Sequence, residues 1–337
     1  MNRLLRLLST VLVATLAFAI PAQAEQRTLT VYTYDAFTSD WGMAPVITPL
    51  FEQRCNCSLK FVSMDTSVGI LNRVRLEGHY SQADLVLGLD MNLIAAAKAT
   101  GMLATHQLDT STLTLPITWN DPVFVPFDYG YFAFVYNTEQ LPNPPRSLQE
   151  LVAANNDLKV IIQDPRTSTP GLGLILWMKS VYGNQAGAAW TQLSNNILAT
   201  TKNWSEAYFS LFMAGEAPMV LSYSTSPAYH MAIENNHQYQ AIAFDEGHYL
   251  QVEVAAVLKD APNPDLAHQF LEFMVSPQFQ QAVPLTNMMY PVIDLGDALP
   301  AEFDQLIKPA KVLQLDQNEV AHQRQKWVAE WLEAMSH

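Results

Sequence analysis

Val125-Pro126-Phe127-Asp128-Tyr129-Gly130-Tyr131-Phe132-Ala133-Phe134-Val135-Tyr136 is the stretch on which the architecture turns. It is aromatic, rich in strand-forming residues, and longer than the usual strand of about 5–6 residues. A strand of that length predicts a passage from one packed unit into another. The residues before it alternate between strand and helix signals. Leu29–Tyr34 and Ser58–Val62 read as strands, Val68–Glu77 as a helix, and Ala83–Asp90 as a continuous apolar strand ending in an acid. Met91–Thr100 then reads as a helix closed by Gly101. Apolar strands between helices predict a largely parallel sheet covered on both faces.

A second α/β series follows the long stretch. It runs through Val160-Ile161-Ile162, a helix after Pro170, and Pro218–Tyr223. Tyr249–Leu258 is another long strand signal, read as the return crossing. Residues 264–283 predict an amphipathic helix or helix pair with Phe270, Leu271, Phe273 and Met274 inward. At the end of the chain, Asp316 and Glu319 fit a capping box, and Val320, Trp327, Val328, Trp331, Leu332 and Met335 share one helical face. The expected organisation is a first lobe from residues 25–125 and 250–310 and a second from 126–249. Residues 311–337 form a C-terminal helix on the second lobe. The crossing strands would serve as hinges on which the lobes close as rigid bodies.

Residues 1–24 read as a targeting signal. Arg3 and Arg6 precede the apolar run Leu7–Ile20, and Ala22-Gln23-Ala24 is a small-x-small cleavage site. No cysteine stands at that point to carry a lipid, and no later stretch approaches the roughly 18 apolar residues of a membrane span. An exported, soluble, periplasmic protein is expected. The chain has 18 basic and 32 acidic residues. That balance argues against a nucleic-acid partner, which needs a basic face. Two cysteines, Cys55 and Cys57, are too few for a disulfide scaffold or a four-thiolate metal site. A local clip between them, or two thiols beside a strand, is the expectation.

Ligands of open α/β sheets bind beyond the carboxyl ends of the strands. That rule puts Tyr34, Asp35, Asp65, Thr66 and Asp90 on one rim. Three segments set rings among small polar groups: Tyr34-Asp35-Ala36-Phe37 with Trp41, Trp204–Tyr208, and Ser222–His230. A flat cation would find ring faces there. Asp164–Gly173 predicts a helix start with Thr169 as N-cap, Pro170 in the first helical position and Ser168 beside it, where hydroxyls and free N–H groups suit an anion. The motif lacks the Gly-Lys-Ser/Thr of a Walker loop.

These segments, together with Asp121–Tyr131 and Glu246–Glu253, strongly resemble the thiamine-binding periplasmic proteins of bacterial thiamine ABC transporters, over nearly all of the mature chain. The resemblance implies an α/β, two-lobed type 2 periplasmic-binding-protein fold with crossing hinge strands. It implies capture of thiamine, thiamine monophosphate or thiamine diphosphate between the lobes and delivery to an inner-membrane ABC permease, by a monomer with no cofactor of its own. By position, Tyr34, Trp41, Trp204, Tyr223 and Tyr229 match the aromatic ligand contacts of the family, and Ser168 a phosphate-side contact. An acidic contact falls at Asp65-Thr66, with Thr66 the aligned position, and the family carries Trp where this chain has Met288. Two alternatives stand beside it. A thiamine-degrading enzyme on this scaffold would need a cleft nucleophile, and the cysteines lie away from the rim. A ferric-ion protein of this fold commonly uses adjacent tyrosines, whereas Tyr223 and Tyr229 are separated.

Overall fold

The computed structural model describes residues 26–336, so the targeting segment lies outside the described residues. The strands are β1 (Thr28–Tyr34), β2 (Ser58–Met64), β3 (Leu85–Asp90), β4 (Val125–Asn137), β5 (Val160–Gln163), β6 (Ile197–Thr201), β7 (Met219–Tyr223), β8 (Tyr239–Ala241), β9 (His248–Val257), β10 (Tyr290–Pro291) and β11 (Val312–Leu313). The main path of the sheet runs β2-β1-β3-β9-β4-β7-β5-β6. β1 is parallel to β2 and β3, and β5 is parallel to β6 and β7. The antiparallel strands β4 and β9 join these two parallel halves.

β4 has 13 residues, about 40 Å of chain at the rise of an extended strand. Its first part, Val125–Tyr131, pairs with β9, and its second, Phe132–Tyr136, pairs with β7. β9 runs back the other way: its start pairs with β11 and its end with β3. Every residue of β9 is buried, which accounts for its mostly apolar character and makes His248, Gln251 and Glu253 buried polar groups.

Side chains alternate across the pleat with period two, so each half carries a core on both faces. In the second half, Phe132 and Phe134 face a core with Trp177 and Trp190, while Ala133 and Val135 face Tyr208 and Phe212. In the first half, Leu29, Val31 and Leu85 pack with Phe51 and Phe270, and Tyr32, Val86 and Leu89 pack with Ile70 and Ile94. β3 contains one irregularity. Gly88 has φ +95°, and the pairing with β9 slips between Leu87 and Leu89. This bulge turns the end of the strand, as bulges do.

Several boundaries differ from the sequence reading. β3 starts at Leu85 rather than Ala83. The helix read at Met91–Thr100 is a 3-10 turn, Met91–Leu93, followed by a short helix, Ile94–Lys98. The segment 264–283 divides into Pro264–Met274 and two short turns beginning around Pro277 and Pro284. Each proline removes an N–H donor and steers its predecessor away from helical backbone. The C-terminal helix spans Gln317–Met335, and Asp316 Oδ1 accepts from the N–H groups of Asn318 and Glu319, 3.0 Å each. Val320, Trp327, Trp331 and Ala334 enter the core of the second half, whereas Leu332 is 36% exposed and leaves the face assigned to it. The same helix also touches the 3-10 turn and short helix after β3, and so lies over both halves. Cys55 and Cys57 form a disulfide, with Asn56 between them in the left-handed region at φ +49°.

Candidate ligand cleft between the two halves

The carboxyl ends of β1, β2, β5, β6 and β7 converge on a cleft of about 680 Å³, open to solvent. Of the residues singled out in the sequence, the structure brings to its wall Tyr34, Asp35, Trp41, Asp65, Thr66 and Met288 from the first half, and Ser168, Thr169, Pro170, Trp204 and Tyr223 from the second.

Trp204 is held from behind. Its Nε1 donates to Ser222 Oγ at 2.8 Å, and its ring stacks on Tyr208 at 4.9 Å with planes 23° apart. Tyr208 belongs to a π-helix, Glu206–Phe212, a rare form found mostly at functional sites. Its hydroxyl meets His230 Nε2 at 2.9 Å, and His230 Nδ1 lies 2.7 Å from Glu234 Oε2. Across the cleft, the Trp41 ring stands 6.2 Å from Trp204, so indoles from the two halves face each other. Tyr34 rests on the bulge of β3. A methyl group on Gly88 would fall 2.3 Å from Tyr34 Cε1, so only glycine allows the ring this close.

The floor of the cleft is charged. Glu253 of β9 lines it and is 6% exposed. Asp128 of β4 is its fully buried cross-strand partner. The Tyr34 hydroxyl lies 2.8 Å from Glu253 Oε2 and 3.0 Å from Asn287 Oδ1, and shares its single proton between them. Asn287 Nδ2 donates to Asp128 Oδ2 at 2.5 Å, and Gln251 Nε2 donates to Glu253 Oε1 at 3.2 Å. Asp128 Oδ1 receives no donor. Among the described residues, no Lys or Arg pairs with either carboxyl. Burial, and then the charge of Glu253, raises Asp128 well above the ordinary carboxyl range. Burial likewise pushes Glu253 up, to about 7. Burial first and Glu253 second hold the phenols of Tyr34 and Tyr223 well above their ordinary value, hence neutral.

Two residues named from the sequence do not stand on the cleft wall. Asp90 is 1% exposed and lies behind it, where its Oδ2 accepts from Thr169 Oγ1 at 3.2 Å and its Oδ1 from Asn92 N at 2.8 Å. It clamps the end of β3 to the opposite half. Tyr229 sits inside the helix Ser226–Glu234, edge-on to His230 at 5.7 Å, and does not line the cleft. The chain turns from strand to helix after Tyr223, and the 100° step of the helix carries Tyr229 to another side.

The N-cap also moves. Ser168 occupies it, and Thr169 is the first helical residue, with Pro170 second. The Ser168 side chain makes no capping bond and faces the cleft. Gly171 lets the helix start press on β5, because an added methyl there would meet Gln163 O at 2.4 Å. Met288 takes the left-handed region at φ +56° while 5% exposed. For a non-glycine residue that conformation is uncommon and clusters at ligand clamps. At the cleft mouth Asp65 pairs with Lys202 of the other half, and Arg166 pairs with Asp164 at 2.5 Å.

Sequence reasoning passed over Glu253, Asp128 and Asn287. The available signal was an acid in each of two otherwise apolar crossing strands, which is costly unless that acid has a task. Among the described residues, no group of three His, Cys, Asp or Glu side chains is arranged to hold a metal ion. The described residues also contain no helix long and apolar enough to cross a membrane.

The profile of bacterial extracellular solute-binding proteins matches residues 81–323. A thiamine-binding periplasmic protein of Escherichia coli K12 is 54% identical over 308 residues, covering 91% of this chain and 93% of that protein. One from Brucella melitensis is 51% identical over 334 residues, covering 99% of each. A solved structure described as a periplasmic thiamin binding protein superposes with a TM-score of 0.90 at 54% identity, covering 93% of this chain and 97% of that one. The chain therefore belongs to the bacterial extracellular solute-binding proteins and, within them, to the thiamine-binding periplasmic proteins.

Proposed function

We propose that this protein captures thiamine in the periplasm and hands it to an inner-membrane ABC permease. The observation that carries this reading is the cleft itself: Tyr34 and Trp41 on one side, Trp204 and Tyr223 on the other, above a buried carboxyl pair without a cation. Thiamine is a quaternary thiazolium joined to an aminopyrimidine, and a flat cation gains roughly 0.5–2 kcal/mol from each well-placed ring face. Thiamine monophosphate and diphosphate fit the same reading. Ser168 offers a free hydroxyl where the helix Thr169–Tyr182 begins, and the positive end of that helix favours a negative group.

In this reading the ligand-binding residues are those at the cleft wall, residues 25–125 and 250–310 form one lobe, and 126–249 the other, with the C-terminal helix packed mainly on the second. The lobes pivot on β4 and β9, and the monomer is the working unit. A carrier reading is supported by the Cys55–Cys57 disulfide, which takes up the two thiols that a cysteine-dependent thiamine cleavage would need. Calorimetric titration with thiamine and its two phosphates tests the ligand, and small-angle scattering tests the movement. Tight binding with a smaller radius of gyration is expected. An absence of thiamine binding would overturn the function, and binding with an unchanged scattering profile would overturn the hinge.

A further inference from the structure

We propose that Glu253, paired with Asp128, is the charge-selecting element of the cleft: the empty cleft keeps one proton between the two carboxyls, and a cationic ring system entering it expels that proton and becomes their counter-charge. The inference rests on the thiamine-binding reading and specifies how that site recognises charge.

The pair sits within the β4–β9 pairing, just past its register slip, with Asp128 directly opposite Glu253. Each carboxyl is at least nine-tenths buried, and one amide nitrogen reaches both: Asn287 Nδ2 lies 2.5 Å from Asp128 Oδ2 and 3.3 Å from Glu253 Oε2. Two ionised carboxylates on opposed residues and out of water would repel strongly, so one proton stays. The hydrogen-bond inventory agrees. Asn287 satisfies Asp128 Oδ2, while Tyr34, Asn287 and Gln251 satisfy Glu253. Asp128 Oδ1 alone has no amide or hydroxyl donor, and a proton held between the acids supplies what it lacks.

The surrounding groups are neutral or negative. Tyr34 faces the pair from β1, Tyr223 from β7, Gln251 from β9 and Asn287 from the loop before β10. Asp90 at the end of β3 adds negative potential, and the Arg324 guanidinium of the C-terminal helix acts on Asp90 only through space, without a close ion pair to it. The positive charge that would let both acids ionise must therefore come from the cleft, and Glu253 is the member of the pair that reaches it. The exchange balances: protonated pair plus cation gives ionised pair with bound cation plus one free proton. Neutral ring compounds of similar shape cannot drive that exchange.

The test is thiamine calorimetry in two buffers of different ionisation heat, repeated across pH. At about pH 6, close to one proton should leave per thiamine bound, falling to none near pH 9, and affinity should drop about tenfold per pH unit on the acid side. Glu253→Gln should abolish the release and weaken thiamine about 10–100-fold, the loss of an interaction with a charged group. Asp128→Asn separates charge from proton. Its Glu253 is still raised by burial but titrates alone, so thiamine still binds at pH 8 without proton release, whereas the wild-type pair still releases there; an unchanged release at pH 8 would overturn the shared proton. Tight thiamine binding with no release, or with proton uptake, at pH 6 would overturn the proposal, and so would a wild-type affinity for Glu253→Gln. No thiamine binding at any pH would instead defeat the assigned ligand, and this inference with it.

Discussion

Gly88→Ala joins the backbone of β3 to the ligand cleft and can be worked through term by term. Gly88 has φ +95°, a region that resists a Cβ, and forcing alanine into it costs about 1–2 kcal/mol. The new methyl would also lie 2.3 and 2.4 Å from two ring carbons of Tyr34. That clash is cleared only by shifting the ring or the strand, an overpacking strain of about 1–3 kcal/mol. The expected loss of stability is therefore about 2–5 kcal/mol, read from urea unfolding followed by tryptophan fluorescence. A displaced Tyr34 also leaves Glu253 and Asn287, so thiamine should weaken by about 0.5–2 kcal/mol through the lost ring face. A double-mutant cycle separates the parts. In a Tyr34→Ala background there is no ring to strike, so Gly88→Ala should cost only its backbone share, and the two changes should couple by about 1–3 kcal/mol. Equal cost in both backgrounds would show that the ring does not rest on Gly88. Wild-type stability of the single variant would refute the backbone argument too.

Two further outcomes follow from the same geometry. Ser168 makes no capping bond, so Ser168→Ala should change stability by under about 0.5 kcal/mol, yet weaken the mono- and diphosphate by roughly 1.5–3 kcal/mol more than free thiamine; equal losses for all three ligands in parallel titrations would place the hydroxyl away from phosphate. His248 is wholly buried, its Nδ1 donating to Phe132 O at 2.8 Å and its Nε2 accepting from Phe244 N at 3.0 Å, and burial lowers it to about 4. The unfolded chain, at the ordinary histidine value near 6.5, therefore binds the extra proton first. His248 should contribute about 3 kcal/mol above pH 6.5, lost as the pH falls to about 4; urea unfolding of His248→Gln should show a flatter slope across that window, and an unchanged slope would count against the assignment.

The two crossing strands were legible because their signal is local: length, β-branched and aromatic residues, and burial on both faces. The rim was legible through a topological rule, since Tyr34, Asp65 and Thr66 each stand at or just past a strand end that reaches the cleft. The cap read at Thr169 falls on Ser168, and Tyr229 stands within a helix rather than on the cleft wall, because a one-residue shift in a cap, or a few steps around a helix, re-aims a side chain without altering composition. Glu253 and Asp128 were hidden for a different reason. Their meeting depends on the register of β4 against β9, which slips between Pro126 and Asp128 and joins residues more than a hundred positions apart. No window of sequence contains that pairing. Yet their place gives the cleft its division of labour. Trp41 and Trp204 belong to opposite halves, so the distance between them depends on how the halves are set. The carboxyl pair stands on the strands that both halves share, so in the proposed pivot it would change least. A cation attracted to Glu253 would then be held in a fixed place before the rings meet over it, so the charge selects and the rings retain. If the rings acted first, a neutral ring compound of the same shape would close the lobes as well as thiamine does. Scattering profiles that shrink equally for both ligands would reverse that order.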